Sequence, residues 1–264
     1  MEILRYQFDR LHAEIHPHSE AAGAAAARAA ARALSELGGK QETIGVVFAT
    51  GASQRETLRA LVGEPEVPWS RMIGFHLDEY VGIDESHPAS FRNYLRRNLT
   101  TRVSMREFYE VEGNASDLDA ACRTYAEKLR GANPQLCLAG IGENGHLAFN
   151  DPGEADFRDP KEMKVVRLDS VCREQQAAEG WFRSREEVPE FALTLTIPTL
   201  FRIPKLILSV PGVRKAQIVR RALYDPVSED CPATILRTHP DATLYLDLES
   251  AAELDPKDMA LSAR

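Results

Sequence analysis

The sequence predicts an α/β fold, an open and mostly parallel sheet with helices on both faces. Short apolar runs recur along the chain, amphipathic helical stretches separate them, and runs such as 43–49 and 205–210 end in a glycine turn that opens a helix. No Pro-, Gly- or Ser-rich linker divides the 264 residues and no internal repeat is visible, so 1–264 reads as one domain with a sizeable core.

Taken in order, the N-terminal stretch MEILRYQFDRLHAEIHPHSE is charged throughout and has no apolar signal core, and no later window reaches membrane-spanning length. The expectation is a cytoplasmic protein without a membrane partner. Residues 19–39, SEAAGAAAARAAARALSELGG, form a helix with Ser19 as its N-cap, a run of strong helix formers and a Gly-Gly stop. Apolar runs then fall at 43–49, 71–77, 135–141, 164–168, 191–197, 205–210 and 242–247, and HPASFRNYLRRNL reads as an amphipathic helix with a basic outer face. Residues 151–188 are charged and weakly periodic, which suits a lid or an excursion over the sheet.

Composition excludes several classes of function. The four cysteines, Cys122, Cys137, Cys172 and Cys231, lie far apart with no C-x-x-C pair, so neither a zinc site nor a disulfide framework is suggested. A net charge of −8 offers no basic stripe for nucleic acid, and an anionic ligand needs a local basic pocket. The sequence leaves the oligomeric state open, a homo-oligomer included.

Ligands of open parallel sheets bind outside the carboxyl ends of the strands, so the residues after each run carry the functional reading. After 43–49 comes Thr50-Gly51-Ala52-Ser53, a small-residue turn whose N–H groups and hydroxyls suit an anion, although the Walker A spacing is missing. Asp78 and Glu79 follow 71–77; a carboxylate there is a candidate general base, and helix capping is the bland alternative. His76, two residues earlier, is close enough in sequence to line the same site.

After 135–141, Gly140, Gly142 and Gly145 spell G-x-G-x-x-G, but HLAFNDPG leaves no room for the helix a dinucleotide needs. The loop instead presents His146 with Glu143, Asn144 and Asp151 as orienting partners. After 205–210, PGVRKAQ places Arg214 and Lys215 in the first turn of a helix, where cations oppose the macrodipole unless an anion is bound. The composite implies a small phosphorylated metabolite and proton transfer, with no metal, nucleotide or other cofactor required.

The segments FATGAS, GFHLDEYVGIDESHP, GIGENGHLAFNDPG, FALTLT, PGVRKA and THPDATLYLD resemble the glucosamine-6-phosphate deaminase (isomerase) family, within the larger group that includes 6-phosphogluconolactonases. The resemblance implies a modified Rossmann-like fold and conversion of glucosamine 6-phosphate and water to fructose 6-phosphate and ammonium. It makes Asp78 the base that moves a proton between C2 and C1, and His146 the residue that assists ring opening, oriented by Asn144 and Asp151. Ser53, Lys215 and Arg173 match phosphate-binding positions; Thr50, Gly51 and Ala52 complete that turn, and Glu79, Gly142 and Gly145 are expected around the pocket. Two departures stand out. Asp151 replaces the usual Glu, one methylene longer, and TLTIPTL resembles the lactonase pattern, which keeps a 6-phosphogluconolactonase-type hydrolase or a related sugar-phosphate isomerase as alternatives.

Overall fold

The computed structural model describes residues 3–255. In chain order, β1 (Leu4–Phe8) and β2 (Leu11–His16) lead to α1 (Ser19–Gly38), β3 (Ile44–Phe48), α2 (Arg55–Val62) and β4 (Met72–His76). There follow β5 (Asp78–Tyr80), α3 (Phe91–Leu95), β6 (Glu107–Phe108), α4 (Leu118–Ala132) and β7 (Leu136–Ala139). The last third contains β8 (Met163–Arg167), α5 (Ser170–Ala178), β9 (Phe191–Leu195), α6 (Ile197–Phe201), β10 (Lys205–Ser209), α7 (Ala216–Tyr224) and β11 (Ala242–Asp247).

Eight strands form one sheet in the order β1-β2-β11-β10-β7-β3-β4-β6, parallel except for the β1–β2 hairpin. Every residue of β3 and β7 is buried, as expected for central strands covered on both faces. From β3 the chain steps outward to β4 and β6, then returns to lay β7 on the other side of β3. The switch point of the sheet therefore lies at the carboxyl ends of β3 and β7, where a ligand crevice is expected.

One apolar cluster joins α1, α2 and the β3–β7 centre, and another packs α4 and α7 on the opposite face. The alanines of α1 allow close packing, and at Gly23 a Cβ would stand 2.6 Å from Glu56 Cβ, so α1 and α2 touch there nearly backbone to backbone. The α1 N-cap is His18 rather than Ser19, its Nδ1 accepting from Ala21 N at 3.2 Å.

All seven apolar runs form strands, but β8 and β9 leave the main sheet and, with β5, build a three-stranded antiparallel sheet in the order β5-β9-β8. A short apolar run does not encode its partner. The divergence begins at Leu77, whose carbonyl accepts from Leu195 N at 2.9 Å and so passes the chain from β4 to β9. The β1–β2 hairpin was not expected from the charged N-terminal stretch, although Leu11, Ala13 and Ile15 alternate as a half-buried strand should. Residues 151–188 contain β8 and α5. Among the described residues no helix is long and apolar enough to cross a membrane.

His76 is fully buried at the end of β4; Nε2 accepts from Val111 N at 2.8 Å, which leaves Nδ1 to donate to the Asp78 carbonyl at 2.9 Å. Burial, only partly offset by the Asp78 carbonyl, pushes its pKa from 6.5 down to about 3. The unfolded chain thus takes up this proton first as pH falls, so the stability of the neutral ring is intact above about pH 6.5 and is lost toward pH 3, by up to about 1.4 kcal/mol per pH unit. Urea unfolding should show a loss of stability from pH 7 to pH 5 that is smaller in His76→Gln; an equal loss in both proteins would exclude His76 as its source.

Candidate active site

A cleft opens at the switch point, bounded by residues that follow four strands and by residues from α3 and the α5 segment. The first wall is the turn after β3. Gly51 has φ +94°, a conformation that strains any residue with a Cβ, and it lets the chain turn at once into a short 3-10 turn, Ala52–Gln54, and then α2. No described residue accepts a hydrogen bond from the N–H of Gly51, Ala52 or Ser53. Thr50 and Ser53 line the cleft beside them, so the turn presents both backbone and hydroxyl donors to a ligand.

The second wall is Leu77 and Asp78. Asp78 is 6 % exposed, and among the described residues no hydrogen bond reaches its carboxylate. Burial, and then the charge of Glu79, push its pKa well above the ordinary carboxylate value. Glu79 turns the other way. It is fully buried and accepts from Tyr80 N, Ser90 Oγ, Phe91 N, Arg92 N and Arg92 Nε at 2.8–3.3 Å, capping α3 and tying it to β5. The expectation that Glu79 belongs to the pocket is therefore corrected, as is the one for His76, whose ring lies behind Asp78 and supports its backbone. Arg92 likewise packs inward on Glu79, although the sequence placed it on an outer basic face.

The third wall is the loop after β7, with Gly140, Ile141, Gly142 and His146 facing the cleft. No helix follows within 140–162. At Gly142 a Cβ would fall 2.1–2.4 Å from the His146 ring, so the imidazole lies directly on the glycine. His146 Nδ1 stands 2.8 Å from Asp151 Oδ1, an ion-pair contact that falls outside hydrogen-bond geometry. Asn144 Nδ2 donates to Asp151 Oδ1 at 2.9 Å and to Asp169 Oδ2 at 2.8 Å, while Asn144 Oδ1 accepts from His146 N at 3.1 Å. Asp169 N donates to Asp151 Oδ2 at 3.0 Å. Burial alone would raise the Asp151 pKa, but His146, Asn144 and the Asp169 N–H outweigh it and hold the carboxylate below its usual range.

Asp151 thus reaches His146 despite its short side chain. Asn144 and Asp151 stand behind the histidine instead of lining the cleft, and Gly145 likewise lies outside it, its φ of +92° shaping the loop against Cys231. Glu143, expected near His146, is drawn away to Arg214, with Nε–Oε1 at 2.9 Å.

The fourth wall is Lys215, from the turn that precedes α7. It is 7 % exposed, its Nζ donates to the Ile141 carbonyl at 2.8 Å, and burial lowers its pKa against the opposing charge of Glu179. Arg173 does not join it: its guanidinium donates to the Val188 and Arg185 carbonyls at 2.8–3.1 Å and fastens the 185–188 segment. That expectation is corrected by the helix phase of α5, which sends Gln175, Gln176 and Glu179 to the cleft. Those three were missed, although LDS before REQQAAE carries a helix-start signal, and Asp169 does cap α5 by accepting from Cys172 N at 2.6 Å.

One group of metal-ligand types occurs among the described residues, with donor atoms of His146, Asp151 and Cys172 all within 4.8 Å. Burial, then Asp151 and Asp169, push the Cys172 thiol well up, which opposes the thiolate that coordination needs. The cluster reads as packing around the histidine.

The cleft combines an anion turn, one buried ammonium, a carboxylate of raised pKa and an oriented imidazole, a set suited to proton transfer on a small anionic substrate. Residues 17–245 match the family described as glucosamine-6-phosphate isomerases/6-phosphogluconolactonase. A glucosamine-6-phosphate deaminase of Listeria welshimeri is 35% identical over 216 residues, covering 82% of this chain and 89% of that one. Its counterpart in Lactobacillus helveticus is 32% identical over 210 residues, covering 80% and 85%. Among solved structures, a monomeric glucosamine-6-phosphate deaminase superposes with a TM-score of 0.83 at 29% identity, covering 92% of this chain and 99% of that one. The 6-phosphogluconolactonase of Trypanosoma brucei, at 18% identity and TM-score 0.76 over 92% and 98% of the two chains, shares the fold. By the family match over most of its length and by these relatives, the chain belongs to the glucosamine-6-phosphate isomerase/6-phosphogluconolactonase family.

Proposed function

We propose that the chain is a glucosamine-6-phosphate deaminase, converting glucosamine 6-phosphate and water to fructose 6-phosphate and ammonium by aldose-ketose isomerisation. One observation carries the reading: Asp78 and the supported His146 face a single cleft whose other wall is the Thr50–Ser53 turn with Lys215. The turn and Lys215 hold the phosphate, and so orient C1 and C2 toward Asp78. Asp78 takes the C2 proton and delivers it to C1, a step that suits a carboxylate whose pKa burial has raised. His146, seated on Gly142 and backed by Asp151, assists proton transfer at the ring oxygen during opening.

The hydrolase alternative rested on the TLTIPTL run, and no residue of that run lines the cleft. Thr196 Oγ1 donates to the Lys161 carbonyl at 2.8 Å and Thr194 Oγ1 accepts from Phe149 N at 3.0 Å, so the run serves packing. The four unpaired, buried cysteines suit a reducing cytoplasm.

The direct test incubates the protein with glucosamine 6-phosphate and assays ammonium and fructose 6-phosphate. Equal amounts of both are expected; absence of both, with hydrolysis of 6-phosphogluconolactone, would replace this reading by the hydrolase. Asp78→Asn should lower kcat by roughly 10²–10⁴-fold while substrate still binds, and near-normal turnover would remove Asp78 from the mechanism. Because the base acts deprotonated and its pKa is raised, kcat should fall with acid at a pH clearly above the ordinary carboxylate value of about 4; an acid limb at or below 4 would contradict the assignment. Lys215→Ala should raise KM by about 10- to 100-fold with a smaller change in kcat, whereas an unchanged KM would exclude it from the phosphate pocket.

A further inference from the structure

The anion end of the cleft contains a carboxylate. Glu179 directly follows α5 and lines the cleft together with the Thr50–Ser53 turn and Lys215. Its Oε2 lies 3.8 Å from where a Cβ on Gly51 would stand, which places it against the turn whose N–H groups are available to a ligand. Gln175 Nε2 donates to Oε1 at 2.7 Å and Trp181 Nε1 to Oε2 at 3.1 Å, so the carboxylate is held at the wall by its own segment. Each oxygen can still accept a second donor.

The charges around it leave the site short of cations. Lys215, on the turn before α7, is the sole Lys or Arg lining the cleft among the described residues. Glu143, from the β7 loop, and Arg214 also act on Lys215, but these two are paired with each other at 2.9 Å. Tyr94 from α3 and Tyr80 from β5 lie within electrostatic reach of Glu179, and Arg55 and Glu56 of α2 within reach of Tyr94. Asp247 and Glu249 line the adjoining pocket that Glu179 also borders. A phosphate dianion at the turn would therefore meet one ammonium and one carboxylate.

We infer that Glu179 is a specificity-determining residue for the charge of the ligand's terminal group: the site takes a singly charged anion, the phosphate monoanion of a sugar phosphate, whose P–OH donates to Glu179 while its other oxygens accept from the turn and Lys215. The inference rests on the sugar-phosphate part of the proposed function. Phosphate monoesters lose their second proton near pH 6, so the monoanion declines about tenfold for each pH unit above that value.

The test measures Kd by calorimetry for 2-amino-2-deoxyglucitol 6-phosphate and its 6-sulfate, at pH 5.5 and pH 8, on the wild-type protein and Glu179→Gln. Neither ligand has the carbonyl carbon needed for turnover. The sulfate is a monoanion throughout and shares the sugar, the amine and every protein titration with the phosphate. In the wild type the phosphate-to-sulfate Kd ratio should rise at least tenfold from pH 5.5 to pH 8. In Glu179→Gln it should change less than about threefold, with tighter phosphate binding at pH 8 than in the wild type. A flat wild-type ratio, a weaker phosphate affinity at pH 8 in the variant, or no binding of either ligand would each overturn the inference. Deamination is assayed separately, so turnover of glucosamine 6-phosphate with a flat ratio would sink this inference alone, and a rising ratio without turnover would sink only the proposed reaction.

Discussion

The Asp151 carboxylate is the constraint on which the site depends. It is fully buried, and His146 Nδ1, Asn144 Nδ2 and Asp169 N converge on it within 3.0 Å. Leaving such a group without partners would cost several kcal/mol, so the loop after β7 and the start of α5 are obliged to meet there. That meeting sets the imidazole over Gly142 and also fixes where α5 runs. The polar wall of Gln175, Gln176 and Glu179 is thus placed by the same carboxylate that orients the histidine.

Asp78 and Glu79 show how one strand gives neighbouring acids opposite chemistry. Successive side chains of a strand point to opposite faces, so β5 sends Asp78 to the cleft and Glu79 into the body of the protein. Glu79 receives five hydrogen bonds, including two from Arg92, and its charge is stabilised where it stands. Asp78 receives none among the described residues and is pushed toward its neutral form by burial first and by Glu79 second. The acid that ties the fold together thereby helps to raise the pKa of the one that lines the cleft.

Much of this was legible in the sequence because the central strands are covered on both faces. Ile44–Phe48 and Leu136–Ala139 must read as unbroken apolar runs, and the residues after them must be the crevice. Pairing was not legible, since β5, β8 and β9 look like any other short run while Asp78 and Thr194 meet from positions 116 residues apart. Arg173 illustrates a second limit. Motif position suggested a phosphate ligand, but on a helix a shift of a few residues changes the face, and the face toward the cleft carries Gln176 and Glu179. His146 was recoverable from its loop because all of its partners lie within a few residues, apart from Asp169 acting through Asn144.

Two crossings of the sheet share one conformation, and the difference between them assigns their roles. Gly51 and Gly212 have φ of +94° and +96°, each leads into a three-residue 3-10 turn and then a helix, and their strands β3 and β10 flank β7 on either side. In the second crossing Asp247, 3 % exposed, takes the Gly212 N–H with both carboxylate oxygens at 3.0 and 3.1 Å. An internal carboxylate thus fills the place where that turn would begin to receive an anion. Among the described residues the first crossing has no such acceptor, and its turn lines the cleft. The pair therefore offers the cleft two kinds of donor: backbone dipoles from one turn, and from the other a single ammonium, Lys215, which reaches the Ile141 carbonyl. In a chain of net charge −8, these donors place positive potential at the cleft.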